Sequence, residues 1–132
     1  MKEKAIDYYL NKGYSCAESI IAACSDEGLC GKELLPCATA FSAGMGSGCL
    51  CGAVAASQMV IGYNFGRENS KSNELQARAK AKELIEKFKE KNRVTCCRVL
   101  NGGFEGAARK QHCQKMVGDA AEILEELIKV KV

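Results

Sequence analysis

The chain has 132 residues, nine of them cysteines, and a formal net charge of +3. Its length fits one domain over residues 1–132, with a core that removes roughly two thirds of the unfolded chain's surface from water. The small net charge and the lack of tryptophan argue against nucleic-acid binding, and no stretch has the length and hydropathy of a membrane span.

Cysteine usage indicates the class of chemistry. The opening segment MKEKAIDYYL is charged from residue 2 and lacks the apolar run of a secretory signal, so we expect a cytoplasmic protein. In a reducing compartment, nine cysteines point to metal or redox chemistry rather than to a disulfide scaffold. The odd count supports the same interpretation.

Apolar residues recur at helical spacing along the chain and predict an all-α fold, a compact single-domain bundle of about five to six helices. The helical segments are expected, in chain order, at about residues 2–11, 15–25, 36 to the glycine run, 51–66, 71–91, a short segment from 96, and 113–129.

Two of these helices differ sharply in polarity. The segment CGAVAASQMVIGYNFG is nearly uncharged and apolar around most of its circumference, which is typical of a central helix. Packing of this helix against a second copy, in a homodimer, is a second interpretation. The helix that follows is strongly charged, and an inward-facing stripe is predicted at Leu75, Ala79, Leu84, Ile85 and Phe88.

Four cysteines are predicted near helix N-termini. They are Cys16 in the second helix, Cys51 in the fourth, Cys97 in the short one and Cys113 in the last. Exposed amides and the positive dipole end stabilise a thiolate there and lower the thiol pKa. Thr95 is expected to cap the short helix. His112 points about 100° around the helix axis away from Cys113, so we expect it at the surface or beside the site rather than as a ligand.

The segment GMGSGCLCGAV sets Cys49 and Cys51 among glycines. Gly48 and Gly52 would let the backbone pass close to an inorganic group and leave amides to hydrogen-bond sulfur. The alternative is a plain flexible loop. A phosphate loop is disfavoured, because the lysine and hydroxyl of a P-loop are missing and the segment follows a helix.

Four stretches carry a family resemblance over about residues 5–129. They are YSCAESIIAA, GMGSGCLCGAVAASQMVIG, TCCRVLNG and HCQKMVGDAAEILEELI. The chain resembles the C_GCAxxG_C_C family of redox-active proteins, whose cysteine-rich region also occurs in split-Soret cytochrome c. The sequences CGAV and CR, which follow Cys51 and Cys97, favour these two cysteines over Cys49 and Cys96.

The resemblance implies a metal centre. By analogy with the split-Soret relative, it implies an iron–sulfur cluster of the two-iron, two-sulfur type for electron transfer or redox sensing. The implied ligands are Cys16, Cys51, Cys97 and Cys113, with Cys49 as a spare or additional ligand. A redox partner protein would be needed, and the sequence does not indicate which.

Three alternatives to the iron–sulfur cluster remain open: a zinc site, metal-free thiol exchange, and cysteines that serve only in packing. Zinc is disfavoured because the spacings of 35, 46 and 16 residues contain no paired knuckle, and a Rieske site would need two histidines where the chain has one. A metal-free thiol–disulfide oxidoreductase would use Cys51 with Cys49 or Cys16. Cysteines acting only as small apolar residues would explain Cys24 but not nine thiols.

Overall fold

The structure, a computed structural model, describes residues 1–129. These residues form a helical bundle without strands, so the all-α prediction is confirmed. The seven α-helices are α1 Lys2–Asn11, α2 Cys16–Asp26, α3 Leu35–Thr39, α4 Gly52–Phe65, α5 Leu75–Asn92, α6 Cys97–Leu100 and α7 Gly106–Lys129. The number exceeds the expected five to six because the short helices α3 and α6 are separate elements.

Helix α4 is the centre of the bundle and packs against α2, α5 and α7. Its residues from Gly52 to Ser57 are all buried, as are Val60 and Ile61. Apolar surface that is removed from water in this way stabilises the fold by roughly 25 cal/mol for each Å². The prediction of a central helix is therefore confirmed. Most of the apolar surface that suggested a homodimer is covered within the chain, and the homodimer stays a prediction.

The start of α2 is held by a capping box. The Ser15 hydroxyl accepts a hydrogen bond from the Glu18 amide at 3.2 Å, and the Glu18 carboxylate accepts one from the Ser15 amide at 3.0 Å. Such a cap contributes about 1 kcal/mol. It also makes Cys16 the first residue of α2, as the sequence predicted.

A short main-chain pairing joins the segment before α4 to the segment before α6. The Cys51 amide donates to the Thr95 carbonyl at 2.7 Å, and Leu50 pairs with Cys96 in an antiparallel bridge. The Cys97 amide in turn donates to the Cys49 carbonyl. These bonds bring the start of α4 beside the start of α6, although 46 residues separate Cys51 from Cys97.

The glycine turn, residues 44–48, reverses the chain ahead of this pairing. Gly44, Gly46 and Gly48 all have positive φ, at 62°, 68° and 72°. Side chains other than glycine rarely adopt this region of backbone conformation. The predicted third helix therefore ends early, at Thr39, and the glycine turn lies beyond it.

Helix α7 begins at Gly106, seven residues before the predicted start. The alanines, lysine and glutamine ahead of Cys113 are good helix formers and extend it toward the N-terminus. Cys113 thus lies inside the helix, and its predicted place at a helix N-terminus is wrong. The N-cap of α6 is Cys96 without a side-chain cap bond, so the predicted Thr95 cap is also wrong.

The inward face of α5 is shorter than predicted. Leu84 and Phe88 are buried, whereas Leu75 is 64% exposed and Ala79 is also exposed. Ala77 packs against the core at this end of the helix instead. No helix among residues 1–129 is both long and apolar enough to cross a membrane.

Candidate functional site

Four cysteines from four helical segments line one cavity of about 390 Å³. We call it the thiol cavity, and its cysteines are Cys16, Cys51, Cys97 and Cys113. They are distant in sequence, so the tertiary fold assembles the site. All are free thiols. The structure therefore brings together the four cysteines that the resemblance implied as ligands.

Helices α2 and α4 approach each other closely at the wall of the thiol cavity. A Cβ added to Gly52 would stand 2.7 Å from the Cys16 sulfur and 2.7 Å from the Phe41 carbonyl oxygen. Real side chains do not make such contacts. Gly52, predicted to clear space beside the site, thus allows the Cys16 thiol to lie against the first turn of α4.

Asn101 connects two of the cavity thiols and is itself buried. Its Nδ2 donates to the Cys97 sulfur at 3.5 Å and to the Cys97 carbonyl at 3.0 Å. The Cys113 thiol donates to its Oδ1 at 2.8 Å. One amide side chain therefore orients both sulfurs with its donor and its acceptor.

A positively charged side chain lies next to the Cys97 sulfur. The Arg109 guanidinium lies 3.4 Å from the Cys97 sulfur through Nη2. Burial tends to lower the pKa of Arg109, but the neighbouring thiols of Cys97 and Cys113 outweigh it and raise that pKa. Lys110 also lines the cavity, with its ammonium 4.7 Å from the centre of the Tyr9 ring. Arg109 and Lys110 therefore place two positive charges at the wall of the thiol cavity, which Glu18 also lines.

Burial governs the acidity of two thiols. It raises the pKa of Cys51 to about 12, although the amides of Val54 and Ala53 stabilise the thiolate. It also raises the pKa of Cys16, against the effect of the Ala43 amide. The predicted lowering by helix N-termini is therefore wrong for these two residues, because removing a thiolate from water outweighs the amide donors.

The family comparison matches this geometry to a known group of proteins. The model of the family described as "Putative redox-active protein (C_GCAxxG_C_C)" matches residues 14–127, a span that contains all four cavity cysteines. The chain belongs to this family. Membership supports a redox role for the C_GCAxxG_C_C protein. The comparisons with curated proteins and with solved structures found no match to the chain.

Cys49 and Cys96, which lie next to Cys51 and Cys97 in the sequence of this C_GCAxxG_C_C protein, do not line the thiol cavity. Cys49 is exposed, and the Cys96 thiol donates to the Gly48 carbonyl at 3.3 Å. Cys51 and Cys97 are buried and line the cavity. The geometry therefore gives no support to Cys49 as an additional ligand, and Gly48 lines a different cavity.

The thiol cavity offers four sulfur donors, but they do not form a compact site for one metal ion. Among residues 1–129, no group of three or more histidine, cysteine, aspartate or glutamate side chains converges to hold one metal ion. Four thiols nevertheless line the same cavity, and thiolates are the ligands that iron–sulfur clusters use. His112 does not line this space, since its Nε2 is 2.8 Å from the Leu100 carbonyl and its ring stacks on Phe104.

Asn101, Arg109 and Tyr9 also line the thiol cavity, and none of them was predicted as a site residue. Asn101 belongs to an NGG segment, and such residues are typical of the end of a helix rather than of a site. Arg109 precedes Cys113 by four residues, but this relation becomes visible only once α7 is known to start at Gly106. Tyr9 lines the cavity from α1, and a tyrosine at apolar helical spacing is typical of a core position.

Proposed function

We propose that this C_GCAxxG_C_C protein binds an iron–sulfur cluster through Cys16, Cys51, Cys97 and Cys113 and uses it in electron transfer or redox sensing. The observation that carries the proposal is the thiol cavity, which these four cysteines line together. A two-iron, two-sulfur cluster is the type that the family resemblance favours. Membership in a family described as redox-active supports the same function.

The bound cluster would supply reversible electron transfer, and the surrounding residues would set its environment. Asn101 and Arg109 place N–H donors at the Cys97 sulfur. Hydrogen bonds to ligand sulfur and nearby positive charge favour the reduced state of such centres. Burial of Cys51 and Cys97 keeps water from this side of the site.

Metal-free thiol–disulfide exchange is less well supported by the geometry. An attacking cysteine needs a thiolate at working pH, and burial raises the pKa of Cys51 to about 12. Its suggested partner Cys49 is exposed, whereas Cys51 is buried. Cys16 lines the same cavity as Cys51, so this pair is the form of the alternative that an experiment must address.

Anaerobic purification of the full chain tests the proposal. We expect a visible absorption band above the protein background, together with iron and acid-labile sulfide and without stoichiometric zinc. A colourless protein free of metal would contradict the cluster and favour exchange between Cys16 and Cys51. Zinc without sulfide would contradict it as well.

Single substitutions then test the ligand set. Changing any of the four cavity cysteines to serine should reduce the iron and sulfide content and bleach the absorption. Cys37→Ser, at an exposed thiol, and Cys24→Ala, at a buried thiol outside the cavity, serve as matched controls that should keep the colour. Bleaching by Cys49→Ser with full colour in Cys51→Ser would assign the ligand to Cys49.

A further inference from the structure

A second cavity adjoins the thiol cavity and is lined by residues of the glycine turn, of α6 and the segment after it, and of α7. Its volume is about 410 Å³. Arg98 and Arg109 line it, and we call it the arginine cavity. Ala43, Asn101 and Arg109 line both cavities. The two spaces therefore share a wall, and the proposed function leaves the second one without a role.

No acidic side chain of the described residues balances the two arginines of the arginine cavity. Its lining contains two guanidinium groups and no carboxylate. Within the part of the chain that the structure describes, neither Arg98 nor Arg109 forms an ion pair with an acidic side chain, whereas many of the surface lysines do. Two neighbouring cations without a counter-charge attract an anion from solution.

The turn holds one of these cations in place. The Arg98 Nη2 donates to the Ser47 carbonyl at 2.9 Å. A Cβ at Gly48 would stand 3.2 Å from the Nε of Arg98, so the glycine lets the side chain lie against the turn. Arg109 is held by its contact with the Cys97 sulfur at 3.4 Å. A guanidinium has five N–H donors, so these contacts leave donors for a ligand.

We propose that the arginine cavity binds a small molecule that carries an oxyanion, a carboxylate or a phosphate group, between Arg98 and Arg109. The planar fork of an arginine matches the paired oxygens of both groups. The volume suits a small molecule, within the ordinary range of ligand pockets. The inference goes beyond the proposed function and does not require the cluster. Because Arg109 also touches the Cys97 sulfur, the bound anion would lie beside the redox site.

Titration of the full-length protein with inorganic phosphate and, separately, with succinate tests the proposal. Calorimetry and the Arg Nε–H signals in NMR spectra, recorded at constant ionic strength in chloride, report binding. We expect saturable binding of at least one anion. Arg98→Gln should weaken it about tenfold or more, because a charge-assisted hydrogen bond is lost. Arg78→Gln, at an exposed arginine of α5, removes the same charge and should leave the affinity within about twofold.

The two anions separate the ligand classes, since binding of phosphate alone or of succinate alone identifies the group. The proposal is overturned if neither anion binds saturably, or if Arg78→Gln weakens binding as much as Arg98→Gln. Arg109→Gln should act like Arg98→Gln. If loss of the Cys97 contact unfolds that variant by circular dichroism, Arg98→Gln decides alone, because the Arg98 guanidinium bonds the Ser47 carbonyl rather than a cavity thiol. Iron and sulfide assays on the same preparations report separately on the cluster.

Discussion

The backbone of Gly52 lies directly against the sulfur of Cys16. A Cβ at Gly52 would stand 2.7 Å from that sulfur, and the Phe41 carbonyl oxygen is equally close. Because the carbonyl belongs to the main chain, it cannot move aside as a flexible side chain would. This contact makes the first turn of α4 and the first residue of α2 parts of the same site.

Gly52→Ala should therefore damage both stability and the thiol cavity. We expect the free energy of unfolding to fall by about 1–3 kcal/mol, as for overpacking in a close-packed core. Urea denaturation measures this change. Gly62→Ala is the matched control on the same helix, because a Cβ there meets nothing within 4 Å. It should be neutral or stabilise by up to about 1 kcal/mol. Equal effects of the two substitutions would contradict the close contact.

Gly44 supports the turn next to Cys97. Its φ is +62°, and a Cβ would stand 2.7 Å from the Cys49 amide nitrogen and 2.8 Å from the Cys97 Cβ. Gly44→Ala thus combines backbone strain with overpacking, and we expect a loss of about 2–4 kcal/mol in thermal or urea unfolding. Gly46→Ala has a similar φ of +68° with nothing within 4 Å, and should lose only about 1–2 kcal/mol. If Gly46→Ala were as destabilising as Gly44→Ala, backbone strain alone would explain both losses of stability, and the predicted overpacking at Gly44 would be contradicted.

Asn101 joins Cys97 to Cys113 and should stabilise the fold before any cofactor binds. Asn101→Ala leaves buried polar groups without their partner, so we expect the metal-free protein to lose about 1–3 kcal/mol. Asn11→Ala removes an exposed amide that bonds only the Asp7 carboxylate at 2.7 Å, and should change the stability by less than about 0.5 kcal/mol. Urea unfolding under reducing conditions compares the two. A neutral Asn101→Ala would show that the bridge contributes nothing to folding.

Alkaline pH should destabilise the protein partly through Cys24. Burial is the main reason that the pKa of this thiol is raised above its ordinary value of 9.0. The unfolded chain ionises near that value while the folded protein keeps the proton. The stabilisation is therefore complete below pH 9.0 and is lost as the pH rises toward the folded pKa. The free energy of unfolding, measured from pH 7 upward, should fall above about pH 9.

Two variants isolate the contribution of Cys24 to this pH dependence. Cys24→Ala should show a shallower decline than the natural sequence, because the buried titrating group is gone. Cys37→Ala removes an exposed thiol and should keep the decline unchanged. If Cys24→Ala and the natural sequence decline in parallel, the buried thiol is not responsible.

The cysteine pairs 49/51 and 96/97 show how far local sequence reaches, although which cysteines act as ligands stays a prediction. Cys51 was preferred to Cys49, and Cys97 to Cys96, from the residues that follow them. The structure buries the preferred member of each pair in the thiol cavity and leaves Cys49 exposed. The reason is local, because the apolar helix after Cys51 must enter the core and takes its first residues with it.

The pKa values of the thiols could not be predicted from local sequence in this way. A helix N-terminus does stabilise a thiolate, and the amides of α4 do approach Cys51. The depth of burial, however, raises the pKa of Cys51 to about 12. Burial depends on which other helices cover the residue, and this information is not present in the flanking sequence.

By itself, the sequence determined the all-helical architecture, the central place of α4 and the family, because apolar periodicity and cysteine context are local properties of the chain. Only the tertiary structure decided that Cys16, Cys51, Cys97 and Cys113 share one cavity, that Asn101 and Arg109 contact the Cys97 sulfur, and that a second cavity adjoins the first. These relationships join residues from different helices, whose positions are set by packing and by the backbone pairing before α4 and α6.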